Sequence, residues 1–111
     1  MDVQRESKVL DYILARPIGP FKTEAEMLRK TKDVAHLLGA LVVREESEVR
    51  GRSDLLLCYD GHFVALELKD DIGTPSPHQI EFVNKVKIAG GRAGVCNTLI
   101  QAFMIIVGNA R

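Results

Sequence analysis

Glu67 and Lys69 are charged residues at strand spacing in an otherwise apolar stretch, and Asp54 lies thirteen residues before Glu67. Carboxylates and an ammonium group inside apolar strands lose favourable hydration, a cost that apolar core residues do not have, so their presence needs a reason. Paired carboxylates followed by a lysine are the side chains that a metal-dependent phosphodiesterase needs. The alternative interpretation is a structural salt bridge between Lys69 and an acidic neighbour, with Asp54 only beginning a strand.

Strand geometry predicts that these side chains meet. Residues two apart on a strand point to the same face, so Glu67 and Lys69 are expected to project together. The stretches 54–59 and 63–68 are predicted to form a hairpin around an Asp-Gly turn, which brings Asp54 close to Glu67 at one edge of the sheet. Oxygen ligands of this kind suit Mg²⁺ or Mn²⁺, and a cation held there would polarise a phosphoryl oxygen and help generate hydroxide from water. Lys69 would position or deprotonate that water.

The remaining sequence predicts the elements that position these residues. Apolar periodicity and stop signals predict helices over 3–14, 24–38, 77–89 and 99–107, a strand beginning at 41 and a last strand over 93–96. Thr23 and Glu26 are expected to form a capping box, and Gly39 to end that helix. The residues expected to face inward are Met27, Val34, Leu37 and Leu38 on the second helix and Ile80, Phe82, Val83 and Val86 on the third. The order ααβββαβα predicts an α/β fold, a sandwich around a mixed sheet.

Composition limits the partners that the chain can have. Its 111 residues suffice for one domain, 1–111, in which 1–22 form an N-terminal helix and turn and 23–111 a core. The 15 basic and 15 acidic side chains cancel, so an anionic partner must be held by local basic clusters or by metal ions. Cys58 and Cys96, both in apolar runs, are expected to be reduced core residues. With no apolar signal segment, an intracellular soluble protein of the cytoplasm is predicted.

Basic residues cluster in places suited to DNA phosphates. The candidates for DNA binding are Arg44, Arg50 and Arg52 beside the strand pair, and Lys85 and Lys87 at the end of the following helix. Arg92 lies next to that second group, and Arg29, Lys30 and Lys32 form a further cluster upstream. Ordinary solvated charge is the alternative for any of them.

Several blocks around these residues resemble the VRR-NUC family of the PD-(D/E)xK nuclease superfamily. The blocks are Gly51-Arg52-Ser53-Asp54-Leu55, Gly61-His62-Phe63-Val64-Ala65-Leu66-Glu67-Leu68-Lys69, Gly73-Thr74-Pro75-Ser76-Pro77-His78-Gln79 and Ala89-Gly90-Gly91. The resemblance covers about residues 24 to 102. It implies a restriction-endonuclease-like core, with a mixed central β-sheet flanked by helices, and divalent-metal-dependent DNA cleavage.

The resemblance also implies roles for single residues. Asp54 and Glu67 become the metal ligands, and the backbone carbonyl of Leu68 becomes a third. Lys69 becomes the catalytic lysine. Gln79 matches the family's Ser-Pro-x-Gln block, so it is expected to reach the active site.

A further glutamate comes from an upstream helix in this family. Glu24 fits best, because it lies fifteen residues before the helix-ending Gly39, while Glu26 and Glu6 remain open. The alternative for Glu24 and Glu26 is acidic charge that complements the helix dipole. Glu24 is therefore a candidate metal ligand with a structural alternative.

Stand-alone members of the family, typical of phages, resemble Holliday-junction resolvases that act as homodimers; the host cytoplasm would be the place of action. The expected activity is therefore cleavage of branched DNA, with a nickase or flap nuclease as the nearest alternative and a non-cleaving DNA-binding or assembly module as another. The apolar segment 99–107 is expected to lie partly in the dimer interface. Two departures from the family pattern are Ser53, which replaces a proline, and Asp70-Asp71 after the lysine, which is interpreted as an exposed loop face.

Overall fold

The computed structural model describes residues 2–46 and 54–108, which fold as four helices and four strands. In chain order these are α1 (Val3–Leu14), α2 (Glu24–Leu38), β1 (Leu41–Glu46), β2 (Asp54–Tyr59), β3 (His62–Leu68), α3 (Pro77–Ile88), β4 (Arg92–Cys96) and α4 (Leu99–Val107). The predicted order ααβββαβα and the α/β class are confirmed. The predicted DNA-binding residues Arg50 and Arg52 lie outside the described residues, as does Ser53.

The four strands form one mixed sheet in the order β1-β2-β3-β4. β1, β2 and β3 are antiparallel neighbours, whereas β4 runs parallel to β3 and is reached through α3. The turn between β2 and β3 has positive φ at both Asp60 (52°) and Gly61 (78°), as a two-residue hairpin turn of this twist requires. The predicted Asp-Gly hairpin is therefore confirmed.

Helices cover the two faces of the sheet unequally. One face carries the main core, in which side chains of α1, α2 and α4 pack against alternate residues of β2 and β3. The other face carries a smaller core, formed by Val83 and Val86 of α3 over Ala65 and Ala93. Within the described ranges, no helix has the length and apolar character that a membrane span requires.

Local capping signals set the helix ends. The Thr23 side chain accepts a hydrogen bond from the backbone N–H of Glu26 (3.1 Å), which satisfies one exposed donor of α2. This is one of the two hydrogen bonds of the capping box that was predicted for α2. Helix α3 has a complete capping box, in which the side chains of Ser76 and Gln79 each accept a hydrogen bond from the other residue's backbone N–H. Gly39 follows α2 in the left-handed conformation (φ 82°), where glycine has no steric cost.

Four predictions of burial were wrong: Leu37, Ile80, Phe82 and Cys58 are exposed. The reason for the two on α3 is that this helix contacts the sheet through a narrow stripe and covers β3 and β4 rather than β1 and β2. The Cys58 side chain lies on the sheet face that carries α3, over the β1–β2 part that α3 does not cover. Leu37 lies on the solvent side of α2, next to the exposed His36.

The apolar helix α4 belongs to the main core. Six of its nine residues are buried within the monomer, including Ala102 and Ile106 at 0% exposure. Core packing therefore accounts for its composition. A dimer interface on α4 is not needed to explain the apolar run.

Candidate active site

The two predicted metal ligands are direct partners in the sheet. Asp54, the first residue of β2, is paired with Glu67 near the end of β3. Their neighbours Leu55 and Leu66 point into the main core, so both carboxylates lie on the face that carries α3. Directly opposite residues of an antiparallel pair have Cβ atoms about 4.5–5.5 Å apart. The predicted convergence of the two carboxylates is therefore confirmed.

Both carboxylates are withdrawn from water. Glu67 is 3% exposed, and Asp54 is partly buried. Two like charges so close together in a poorly solvated position raise each other's electrostatic energy unless a cation offsets them. Positive charge beside the two carboxylates lowers this electrostatic energy, and a lysine or a metal ion can supply it.

Lys69 supplies part of that charge. It follows the last residue of β3 and extends the ladder by one step, because its backbone N–H donates to the carbonyl oxygen of Cys96 (3.0 Å). Strand alternation then directs its side chain to the same face as that of Glu67. The residue is 5% exposed, and its Nζ lies 4.0 Å from Oε2 of Glu24. That separation gives electrostatic attraction without a hydrogen bond.

Glu24 is the upstream glutamate that reaches this cluster. It is the first residue of α2, and α2 starts at the end of the sheet where β3 finishes. Burial raises the pKa of Glu24 above its ordinary value of 4.5, Lys69 opposes this effect, and Asp70 and Asp54 add to it. Its Oε1 atom is buried and has no hydrogen-bond partner in the described part of the chain. A buried acceptor of this kind is costly in a purely structural site.

The other two upstream candidates lie elsewhere. Glu6 accepts a hydrogen bond from the hydroxyl of Tyr59 (2.5 Å), at the opposite end of β2. Tyr59 is five positions along β2 from Asp54, a distance of about 16 Å. Glu26 lies two residues after Glu24, about 200° around α2, so it faces away from Lys69. Its backbone N–H donates to the Thr23 side chain. The structure thus selects Glu24 among the three.

The donors present fit a hard divalent cation. Mg²⁺ and Mn²⁺ are commonly held by one or two carboxylates, with waters and substrate phosphate completing the shell. Asp54 and Glu67 supply two, and the Leu68 side chain is buried in the main core, so that residue can contribute only its backbone carbonyl. Across residues 2–46 and 54–108, no three His, Cys, Asp or Glu side chains form a group arranged to hold a metal. Glu24 has Lys69 as its charged neighbour instead of completing such a group.

Gln79 is buried in the first turn of α3, at the same end of the sheet. Its Oε1 accepts from the backbone N–H of Ser76 (2.8 Å), and Ser76 Oγ accepts from the backbone N–H of Gln79 (3.2 Å). The side-chain carbonyl is therefore used to cap the helix. The amide NH₂ group is the part of Gln79 that this capping box does not use, so the predicted role in the active site requires that donor.

The turn after Lys69 is the part of the site that sequence reasoning missed. Asp70 is half-buried, and its Oδ1 accepts from the backbone N–H groups of Ile72 (3.1 Å) and Gly73 (2.7 Å). A Cβ atom on Gly73 would lie 3.4 Å from Cδ of Lys69 and 3.6 Å from Oε2 of Glu24. The turn therefore packs directly on the Lys69–Glu24 pair. An aspartate three residues before a glycine is a turn signal that could have indicated this.

The basic candidates differ in their distance from the carboxylates. Arg44 of β1 is opposite Leu56, which shares a sheet face with Asp54, so this arginine lies close to the site. Lys85 and Lys87 are exposed near the end of α3, about 12 and 15 Å along the helix from its first residue. Lys85 also lies 3.7 Å from Glu81 on the same helix.

Members of the remaining basic clusters make contacts within the chain. Lys32 bridges to Glu45 of β1 (2.9 Å), which joins α2 to the edge of the sheet. Lys30 lies over the ring of Phe21, with its Nζ 5.7 Å from the ring centroid. Arg92 donates to the carbonyl oxygen of Ile106 (2.7 Å) at the end of α4. Contacts within the chain therefore explain the positions of Lys32, Lys30 and Arg92.

The thiol nearest the carboxylates is not suited to nucleophilic chemistry. Cys96 is adjacent to Leu68 in the sheet and is 1% exposed. Burial, together with the charge of Glu67, raises the pKa of Cys96 to about 12. Because the thiolate is the reactive form, this cysteine acts as a core residue.

Comparison with known proteins returned no relative: no family model, no curated protein and no solved structure matches the chain. Function must therefore be argued from the geometry of Asp54, Glu67, Lys69 and Glu24 and from the sequence blocks that surround them.

Proposed function

We propose that this chain is a divalent-metal-dependent, structure-specific endodeoxyribonuclease, namely a Holliday-junction resolvase that hydrolyses phosphodiester bonds in branched DNA as a homodimer. The observation that carries the proposal is the pairing of Asp54 with Glu67, with Lys69 two residues further along the same face. A mixed sheet with helices on both faces is compatible with the restriction-endonuclease-like core that the VRR-NUC resemblance implies.

Each residue of the cluster has a distinct role in this proposal. Asp54 and Glu67, with the Leu68 carbonyl, would hold Mg²⁺ or Mn²⁺ against a phosphate. When bound, the cation polarises the phosphoryl oxygen and lowers the pKa of a water. Lys69 orients the attacking water and offsets the negative charge that develops on the phosphate. Because the ammonium group is buried, its interaction with that charge is stronger than in water.

Glu24 and the helix ends support the same role. The carboxylate of Glu24 limits the positions of the Lys69 ammonium group, which keeps the lysine aimed at the site. The N-termini of α2 and α3 both lie at this end of the sheet. Their free backbone N–H groups and dipoles favour an anion such as a phosphate.

The neutral net charge supports dependence on metal ions. A protein without an overall positive field gains little from long-range attraction to DNA. Local cations, such as Arg44 and a bound divalent ion, then supply much of the affinity for phosphate. We expect binding to DNA to be weak in EDTA and to strengthen when Ca²⁺, Mg²⁺ or Mn²⁺ is added.

The decisive experiment compares synthetic four-way junction, flap and linear duplex DNA of the same sequence, each with Mg²⁺, Mn²⁺ or EDTA. We expect cleavage of the junction in either metal and none in EDTA. Lys69→Ala and Glu67→Ala are expected to abolish cleavage, while Lys8→Ala, a matched change at an exposed lysine of α1, retains most of it. The purified protein is expected to be a dimer by light scattering.

Other outcomes distinguish the alternatives. Equal cleavage in EDTA, or by the two site variants, rejects the mechanism. Cleavage of flaps or nicking of duplex, without cutting of junctions, keeps the mechanism and replaces the resolvase by a nickase or flap nuclease. Binding without cleavage in any metal indicates a non-cleaving DNA-binding or assembly module.

A further inference from the structure

Ile72 is a large apolar side chain held in solvent beside the candidate active site. It is 85% exposed, and only Ile88, at 87%, is comparable among the large apolar residues that the structure describes. Single exposed apolar residues are common on protein surfaces and need no explanation by themselves. Ile72 is distinguished by the hydrogen bonds that hold the backbone on both sides of it.

The turn that carries Ile72 is tied down on both sides of the side chain. Oδ1 of Asp70 accepts hydrogen bonds from the N–H of Ile72 itself and from the N–H of Gly73. Charge-assisted bonds of this type are stronger than those between neutral groups. The backbone therefore presents Ile72 in a defined direction.

The same turn is anchored on the catalytic pair. The Cα atom of Gly73 lies so close to Lys69 and Glu24 that an added Cβ would be 3.4 Å from Cδ of the lysine and 3.6 Å from Oε2 of the glutamate. Ile72 is the preceding residue, so its backbone lies beside the Lys69–Glu24 pair while its side chain extends into solvent. Ile88 is at the last residue of α3, at the other end of the sheet.

The charge around Ile72 favours a base over the DNA backbone. Asp70 and Asp71 precede it, and Asp71 is exposed. Carboxylates repel phosphates, so this turn is unsuited to tracking the backbone. The apolar side chain that follows these acids instead suits the neutral face of a base.

We propose that Ile72 is a wedge that contacts the unstacked base step at the branch point of the DNA, and so determines the preference for branched over linear DNA. Apolar side chains inserted between base steps are an established way to recognise deformed DNA. At a branch point the stacking is already interrupted, whereas a linear duplex must lose stacking energy to admit the side chain. The proposal rests on the proposed nuclease function of the same site.

The test measures binding and base stacking with four proteins: wild type, Ile72→Ala, Ile72→Leu and, as a matched control, Ile88→Ala. Each is titrated in Ca²⁺ against a four-way junction and a linear duplex that carry 2-aminopurine next to the branch position. We expect Ile72→Ala to reduce the ratio of junction to duplex affinity by about tenfold, because an apolar contact of isoleucine size is lost. It is also expected to lose the rise in 2-aminopurine fluorescence on the junction.

The controls separate a wedge from a general surface effect. Ile72→Leu, which keeps a branched apolar side chain, and Ile88→Ala are both expected to behave like wild type, and all four proteins are expected to share one melting temperature. An Ile72→Ala variant with unchanged affinity ratio and unchanged fluorescence overturns the wedge while wild-type cleavage keeps the nuclease proposal. A wild-type protein that neither binds nor cleaves the junction overturns both.

Discussion

The two ends of β2 each bring a strand residue together with a helix glutamate, yet the two clusters are built differently. At one end the hydroxyl of Tyr59 donates to Glu6 of α1 over 2.5 Å, and both residues are buried. At the other end Asp54 faces Glu67, and Oε2 of Glu24 lies 4.0 Å from the ammonium group of Lys69. The first cluster is one matched donor and acceptor, whereas the second gathers three carboxylates and a lysine.

That difference separates a structural contact from a candidate functional one. One donor and one acceptor satisfy each other at the Tyr59 end and fasten α1 to the sheet. At the other end Asp54 and Glu67 are direct partners across the sheet, and the ammonium group of Lys69 lies 4.0 Å from Glu24. Ionisable side chains gathered in this way, rather than in one matched pair, are typical of functional sites.

The largest expected effect is at the end of β2 where Asp54 faces Glu67. Glu67→Gln should lower the rate of DNA cleavage on the order of 10²–10³-fold or more, as expected when a group that stabilises the transition state is removed. Its melting temperature should stay the same or rise, because a neutral amide relieves the repulsion from Asp54. Single-turnover cleavage and thermal unfolding monitored by circular dichroism measure the two quantities. A large loss of stability together with activity would assign Glu67 a structural role instead.

The next effect concerns the Tyr59 end. Glu6→Ala leaves a buried hydroxyl without its acceptor, which should cost about 1–3 kcal/mol of unfolding free energy. Cleavage per folded molecule should not change, since Glu6 contacts Tyr59, which lies about 16 Å along β2 from Asp54. Urea denaturation of Glu6→Ala and of Glu6→Gln, which keeps an acceptor, provides the comparison. Equal stability of Glu6→Ala and wild type would contradict the structural assignment.

A smaller effect tests the turn over Lys69. Asp70→Ala removes the acceptor for two backbone N–H groups, so the turn should loosen and expose the lysine. Acetylation followed by mass spectrometry should then detect Lys69 modified several-fold faster, while the exposed Lys85 and Lys87 serve as internal references. Asp70→Asn keeps an oxygen acceptor and is expected to retain most of the protection. Equal labelling of Lys69 in all three proteins would show that the turn does not cover it.

The smallest effect is a pH dependence of the Tyr59 end. Burial and the hydrogen bond to Glu6 raise the pKa of Tyr59 above its ordinary value of 10.0. The unfolded chain therefore releases this proton from about pH 10 upward while the folded protein retains it, so stability falls as pH rises beyond that value. Tyr59→Phe should flatten this fall between pH 9 and 11 in thermal unfolding. A slope identical to that of wild type would be inconsistent with this pKa.

Much of the fold follows from short-range rules that act within the sequence. Helix bounds were predicted at 3–14, 24–38 and 99–107, and the structure has the same limits, because caps such as Thr23 and stops such as Gly39 act over a few residues. The partnership of Asp54 with Glu67 follows in the same way. A two-residue turn determines hairpin register, and register determines which side chains are opposite.

Other features depend on packing that no local pattern reports. Whether Cys58, Ile80 or Phe82 is buried depends on which strands α3 covers, and that is decided by how the helix crosses the sheet. The choice of Glu24 over Glu26 and Glu6 depends on where α2 starts relative to the end of β3. The same long-range placement sets Lys85 and Lys87 far from the carboxylates.

The sequence by itself determined the order of elements, the hairpin register and the side chains that could hold a cation, since all three depend on alternation, turns and caps within short segments. Only the tertiary structure decided which glutamate approaches Lys69. Glu24 and Lys69 are far apart in the chain, and the distance between them is set by how helices pack on a sheet.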